Sequence, residues 1–185
     1  MMLGNSIIRP QRKILFYDTY NRSNSSTTLG TSDSGQTYTY VGGTFGISSN
    51  RAYVASYTSL PRALVNINNS NCTLTGIVGT PATNMRFIFR YASSSNEWMV
   101  DISSTYSLFK RVSGTTSTAA STTVTPVSGD VVKLVLVGQQ IMLSINNTLV
   151  ANIFDTFNQD ATTYGIGSIG TSNARWEELK IKSIA

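Results

Sequence analysis

Nine carboxylates, one cysteine and no histidine are what this chain of 185 residues offers for acid–base or nucleophilic chemistry. Without an imidazole, neither a Ser-His-Asp nor a Cys-His arrangement can be assembled, and the usual zinc ligand sets are missing too. Glycoside hydrolysis needs only two carboxyl groups, about 5 to 9.5 Å apart. Glu97 and Asp101 fall on one side of a strand, yet four residues at roughly 3.4 Å each separate them by about 13 Å. Glu177 and Glu178 are adjacent, and a regular strand points them to opposite faces. The residues therefore predict no catalytic group; carboxylates meeting across strands are the one arrangement left open.

Binding chemistry has more material. Sugar recognition asks for an aromatic plane against the CH groups, ringed by amides and charged groups. Trp98, Tyr106 and Trp176 are the candidate planes, and Arg90 and Asn96 stand beside the first of them. The predicted glycan site is accordingly Arg90, Asn96, Trp98 and Tyr106. Trp98 also alternates with Val100 and Ile102, which is equally the pattern of a core face. Calcium requires only oxygen ligands. Asp155, Asn158 and Asp160 supply three in one loop, and Asp18, Asn21 and Asp33 are a second set. Neither has a recognised ligand spacing, and a plain polar loop accounts for both. No cofactor is expected, calcium being the one ion these loops would suit.

The elements that must carry these residues are strands. In the stretch 85–112, Met85, Phe87, Phe89 and Tyr91 alternate with Arg86, Ile88 and Arg90. After the turn Ser93-Ser94-Ser95-Asn96, Trp98, Val100 and Ile102 alternate with Glu97, Met99 and Asp101. A third run, with Tyr106, Leu108 and Lys110 on one side, completes a β-meander. Upstream, strands are predicted at 14–20, 37–41, 44–47, 51–56, 63–67 and 72–78, with a turn-rich loop over 21–36. Downstream they fall at 116–123, 131–137, 140–145, 149–154, 164–169 and 175–184. Gly138-Gln139 and Asn146-Asn147 have the residue types of tight hairpin turns. No stretch sustains a 3.6-residue period. The fold class is all-β: a two-sheet antiparallel β-sandwich, since so many short strands exceed one open sheet. It occupies residues 14–185 as one domain, preceded by a basic arm over 1–13, and the closing strand is expected to pair with the first.

Only 12% of residues are charged, against roughly 25% in an average domain. Ser, Thr and Asn face water in their place, as in many extracellular and virion β-proteins. Net charge is +5 and the pI about 9.5, which favours weak association with anionic polymers. A nucleic-acid stripe is not predicted: Glu97 and Asp101 lie among Arg86, Arg90, Lys110 and Arg111, so that group reads as a salt-bridged strand face. Cys72, alone in the chain, sits in an alternating run and is expected to be a buried thiol. No apolar run reaches the ~20 residues of a membrane span. The first residues lack the apolar core of a secretory leader, so export by that route is not expected.

The segments 18–36 and 43–55, the run Phe87-Ile-Phe-Arg-Tyr91 with Asn96-Glu-Trp98, and Ala174-Arg-Trp-Glu-Glu-Leu-Lys-Ile181 carry a likeness. Through them the chain resembles the laminin-G-like or concanavalin-A-like jelly-roll domains of phage tail, fibre and capsid-decorating proteins and of bacterial surface proteins. The resemblance implies a jelly-roll fold and a non-enzymatic structural or adhesion role on a virion, as a homo-oligomer among other virion proteins, touching host-surface polysaccharide. The alternative it implies is a bacterial carbohydrate-binding module at the cell surface or outside the cell. A glycan-cleaving enzyme is the third and least favoured reading.

Overall fold

The computed structural model describes residues 11–170 and 173–184, and no helix occurs among them. Thirteen strands follow one another: β1 (Ile14–Asp18), β2 (Thr39–Ser48), β3 (Arg51–Asn66), β4 (Cys72–Thr80), β5 (Met85–Ser93), β6 (Asn96–Ile102), β7 (Tyr106–Val112), β8 (Thr115–Ser121), β9 (Val131–Val137), β10 (Gln140–Ile145), β11 (Thr148–Phe154), β12 (Thr163–Gly167) and β13 (Arg175–Ser183). All pairings are antiparallel, and β1 pairs with β13 as the sequence predicts. The hydrogen-bonded path runs β11-β10-β9-β4-β13-β3-β12-β5-β6-β7-β8. It folds over at β3, where Ala52 pairs with Trp176 of β13 while residues 62–66 pair with β12. One layer is therefore built on β4, β9, β10 and β13, the other on β5, β6, β7 and β12.

Alternation fills the space between the layers. Leu74, Val132, Leu134 and Ile181 come from the first, and Phe87, Trp98, Val100, Leu108 and Tyr164 from the second. The indole N–H of Trp176 in β13 donates to the Arg86 carbonyl in β5 at 3.1 Å, tying the layers together. At Gly76 of β4 they approach so closely that a Cβ would stand 2.2 Å from the Phe87 ring. Gly76→Ala is thus an overpacking change against a fully buried ring. It is expected to cost about 1–3 kcal/mol in denaturant unfolding, and a variant as stable as the parent would contradict this packing.

Two pairs of predicted strands merge. Segments 37–41 and 44–47 join in β2, and 51–56 and 63–67 in β3, which runs for 16 residues. The glycine pair 42–43 breaks the chain's regularity without ending the strand. Gly42 has φ +67, and the ladder shifts register between Val41 and Gly43. The pairing passes from Val41↔Arg62 to Gly43↔Tyr57, so Pro61 stands opposite no ladder acceptor and its missing N–H goes unneeded. The Asn146-Asn147 turn does have two positive φ values, 50° and 67°, as the two-residue hairpin requires.

Asp18 is buried and accepts hydrogen bonds from the Tyr20 N–H, from Tyr38 and, at 2.7 Å on each oxygen, from Arg22. That network anchors the 21–36 loop. Residues 1–10 of the predicted basic arm lie outside the described residues. Lys13 is tied to β13 by two hydrogen bonds of 2.9 Å with Ser183.

Candidate functional site

The second layer has a second apolar face. Leu64, Ile88 and Met99 alternate along their strands with core residues and form a separate cluster, joined by Val41, Tyr91 and Phe109. Register aligns them in a cross-strand row, Thr39↔Leu64↔Gly165↔Ile88↔Met99↔Phe109. Gly165 cannot be replaced in that row, since a Cβ would meet the Ala63 carbonyl oxygen at 2.0 Å.

Two buried ion pairs flank the cluster. Arg62 grips Glu97 through Nε, at 2.6 Å, and through Nη2, and its Nη1 donates to the Leu60 carbonyl at 2.7 Å. Arg86 Nε meets Asp101 at 2.8 Å, and the Ser103 hydroxyl donates to the other oxygen of Asp101. The sequence expectation of a salt-bridged strand face holds for Arg86, Glu97 and Asp101, with Arg62 as the unforeseen partner.

Beside the cluster opens a cleft of about 240 Å³, lined by Thr39, Val41, Leu64, Asn66, Tyr91, Ala92 and Thr163. Tyr91 is its aromatic wall. The Arg62 guanidinium lies 5.8 Å from the ring centroid on that wall, and burial pushes the phenol's pKa up, Arg62 opposing and Glu97 adding to the rise. The Asn66 side-chain Oδ1 accepts from the Thr162 hydroxyl and from the Asn68 N–H. Its amide NH₂ has no partner among the described residues, and it supplies two donors at the rim.

Sequence reasoning missed Tyr91 because a bulge turns it around. Arg90 adopts φ +48, and the β5–β6 register shifts between Phe89 and Ser93. At Arg90 and Tyr91 the strand faces are exchanged, Tyr91 pairing with Thr163 on the side of Ile88 and Gly165. Tyr91, predicted to follow Phe87 and Phe89 into the core, packs on the outer cluster. Arg90, predicted outward, is buried between the layers, where Nη2 donates to the Gly138 carbonyl and Nε and Nη1 have no partner among the described residues.

The predicted glycan site is corrected accordingly. Trp98 is fully buried, stacks on Phe89 at 6.0 Å and donates its indole N–H to the Phe157 carbonyl. Tyr106 is fully buried and donates to Asp130 at 2.6 Å. Both share the inward parity of Val100 and Leu108, so neither offers a plane to solvent. Asn96 closes the β5–β6 turn, accepting from the Ser113 N–H and donating to the Ser93 hydroxyl. Trp176, the remaining aromatic candidate, is core as well.

The loop that carries the calcium candidates has partners of its own. Asp155 takes Lys110 Nζ at 2.6 Å on one oxygen and the Phe157 N–H at 2.8 Å on the other. Burial pushes its pKa up, but these bonds outweigh it and hold the carboxyl below its usual value. Asn158 donates to the Arg90 carbonyl, and Asp160 is exposed. The loop is organised around Lys110, a cation of the chain's own. In the second set, Asp18 is held by Arg22, while Asp33 binds Thr19. Among the described residues, no three His, Cys, Asp or Glu side chains converge as a metal site.

Cys72 is the buried thiol the sequence suggests. Burial pushes its pKa up to about 11, against smaller lowering effects of Tyr164 and Arg90. Almost no thiolate exists at pH 8, so iodoacetamide is expected to label Cys72 only after unfolding. Rapid labelling of the native protein would contradict this burial.

No protein-family model matches the sequence, and no curated protein matches it. Among solved structures the chain is similar to SCLam, a non-specific endo-β-1,3(4)-glucanase of family GH16, at 6% identity and a TM-score of 0.63, covering 99% of this chain and 93% of that one. It is similar to a β-glucanase of Bacillus licheniformis at 10% identity and a TM-score of 0.54, covering 92% and 98%. It is also similar to the carbohydrate-binding module CBM66 of Bacillus subtilis at 15% identity and a TM-score of 0.50, covering 92% and 97%. At such identities the likeness is one of architecture, and that architecture is the concanavalin A-like jelly roll.

Proposed function

We propose that this chain is a non-catalytic carbohydrate-binding module that takes an uncharged glycan in the Tyr91 cleft. The observation that carries the reading is the cleft itself: a half-buried tyrosine plane beside Val41 and Leu64, rimmed by Asn66, Thr39 and Thr163. A sugar presents an apolar CH face and a ring of hydroxyls, and these groups complement both features. Solved structures with this architecture include a carbohydrate-binding module and glucanases, which supports a glycan ligand.

The absence of catalysis belongs to the same proposal. No carboxylate lines the cleft, and Glu97 and Asp101 of the same layer are each paired with an arginine. A place on a phage particle, with self-assembly into a homo-oligomer, rests on the sequence resemblance alone. Its carbohydrate-active structural neighbours support the alternative, a bacterial module working at the cell surface or outside the cell. The test is titration of the purified protein against a panel of neutral polysaccharides with reducing ends assayed in parallel. Saturable binding without new reducing ends is expected. Failure to bind any member, or release of sugar, would overturn the reading.

A further inference from the structure

The outer face of the first layer carries a separate cleft of about 340 Å³ on β4, β9 and β13. Its charged lining is Arg12, Lys133, Lys180 and Lys182, against the single carboxylate of Glu178. Register fixes the pattern: Lys180 pairs with Thr75 and Thr75 with Lys133, while Lys182 pairs with Thr73. Lys133 and Lys180 therefore stand two strands apart, roughly 10 Å, and Lys182 is about 7 Å further along β13. Lys180 is held in place by Glu178 at 3.1 Å and by the Tyr17 ring at 4.2 Å. Arg12, Lys133 and Lys182 have no carboxylate partner among the described residues.

Thr73 supplies the second observation. It is only 7% exposed, it lines this cleft, and its hydroxyl has no hydrogen-bond partner among the described residues. A buried hydroxyl left unpaired beside three unpaired cations is a group awaiting an acceptor. The cations are spread along a flat sheet at repeat-like distances, which matches charges recurring along a chain better than one compact oxyanion. No aromatic residue lines this cleft, so a single-stranded nucleic acid finds no stacking platform in it.

We propose that this face binds an anionic polysaccharide, its sulfate or carboxylate groups meeting Lys133, Lys182 and Arg12 and accepting the Thr73 hydroxyl. The face lies across the sandwich from the Tyr91 cleft and does not depend on it.

The test uses the full chain with dextran sulfate and polygalacturonate as probes, neutral dextran as control, and an oligothymidylate as the nucleic-acid arm. Dextran sulfate is expected to bind saturably at about 50 mM salt, weakening as salt rises. Lys133→Gln combined with Lys182→Gln is expected to weaken it about tenfold, while Arg51→Gln with Arg175→Gln, an equal charge change elsewhere, leaves it within about twofold. Thr73→Val should lower affinity with an unchanged salt slope, a readout that bulk charge does not move. The ratio of dextran sulfate to polygalacturonate affinity assigns the anion as sulfate or carboxylate. Equal loss in both double variants, no binding of either polymer, or tighter binding of the oligothymidylate would each overturn the proposal.

Discussion

Arg62→Ala is expected to lower the unfolding free energy by about 3–5 kcal/mol, the range found when one partner of a buried ion pair is removed. Arg62 is 2% exposed and Glu97 is fully buried. Truncating the arginine strands the Glu97 carboxylate inside the second layer with its strongest donors gone. The loss also frees the Leu60 and Ser94 carbonyls that the same guanidinium holds. Replacing both partners with methionine should recover much of the loss, because the cost of a buried pair lies in desolvating its members. Arg51→Ala is the internal comparison. Its pair with Glu177 is 38% and 44% exposed at 3.3 Å, and it should cost under about 1 kcal/mol. Guanidinium unfolding of the three variants checks the series, and an Arg62→Ala cost as small as that of Arg51→Ala would sink it.

Arg62 also shows where sequence reading stopped. A period of two places Glu97 and Asp101 on one face among the basic residues of the meander, and the structure pairs Asp101 with Arg86 of the neighbouring strand. Arg62 arrives from β3, thirty-five residues away from Glu97, through a fold-over that no local pattern encodes. Strand positions from 72 onward were legible for the same reason the meander was: they are short, alternate in polarity and are mostly bounded by Gly, Asn or Ser punctuation. The corner was not, since Gly42-Gly43 and Pro61 are ordinary strand breakers and here are tolerated inside bent strands. Trp98 could be placed in the core from its neighbours Val100 and Ile102, and its indole then satisfies itself on the Phe157 carbonyl. The exchange of Arg90 and Tyr91 was hidden. A bulge normally announces itself with glycine or asparagine at the positive φ, whereas this one uses arginine.

That exchange sets the second large effect. Tyr91→Ala is expected to weaken binding of a neutral glycan at least tenfold, while Tyr91→Phe stays within about twofold. Covering one face of the ring with sugar CH groups is worth about 1.5 kcal/mol, which is close to a factor of ten in Kd. The phenylalanine keeps the plane and loses only a hydroxyl. Position 91 is half-buried at the rim of a small cluster, so the alanine variant should retain the parent's circular dichroism and unfold cooperatively, separating lost contact from lost fold. Shortening the bulge gives an independent check. Deleting Ala92, inside the irregular stretch between Phe89 and Ser93, is expected to disturb the cleft wall and reduce binding even though Tyr91 is still present. If instead Trp98→Phe abolished binding while Tyr91→Ala left it intact, the ligand would have to reach the inner side of the sheet, and the outer cleft would lose its role.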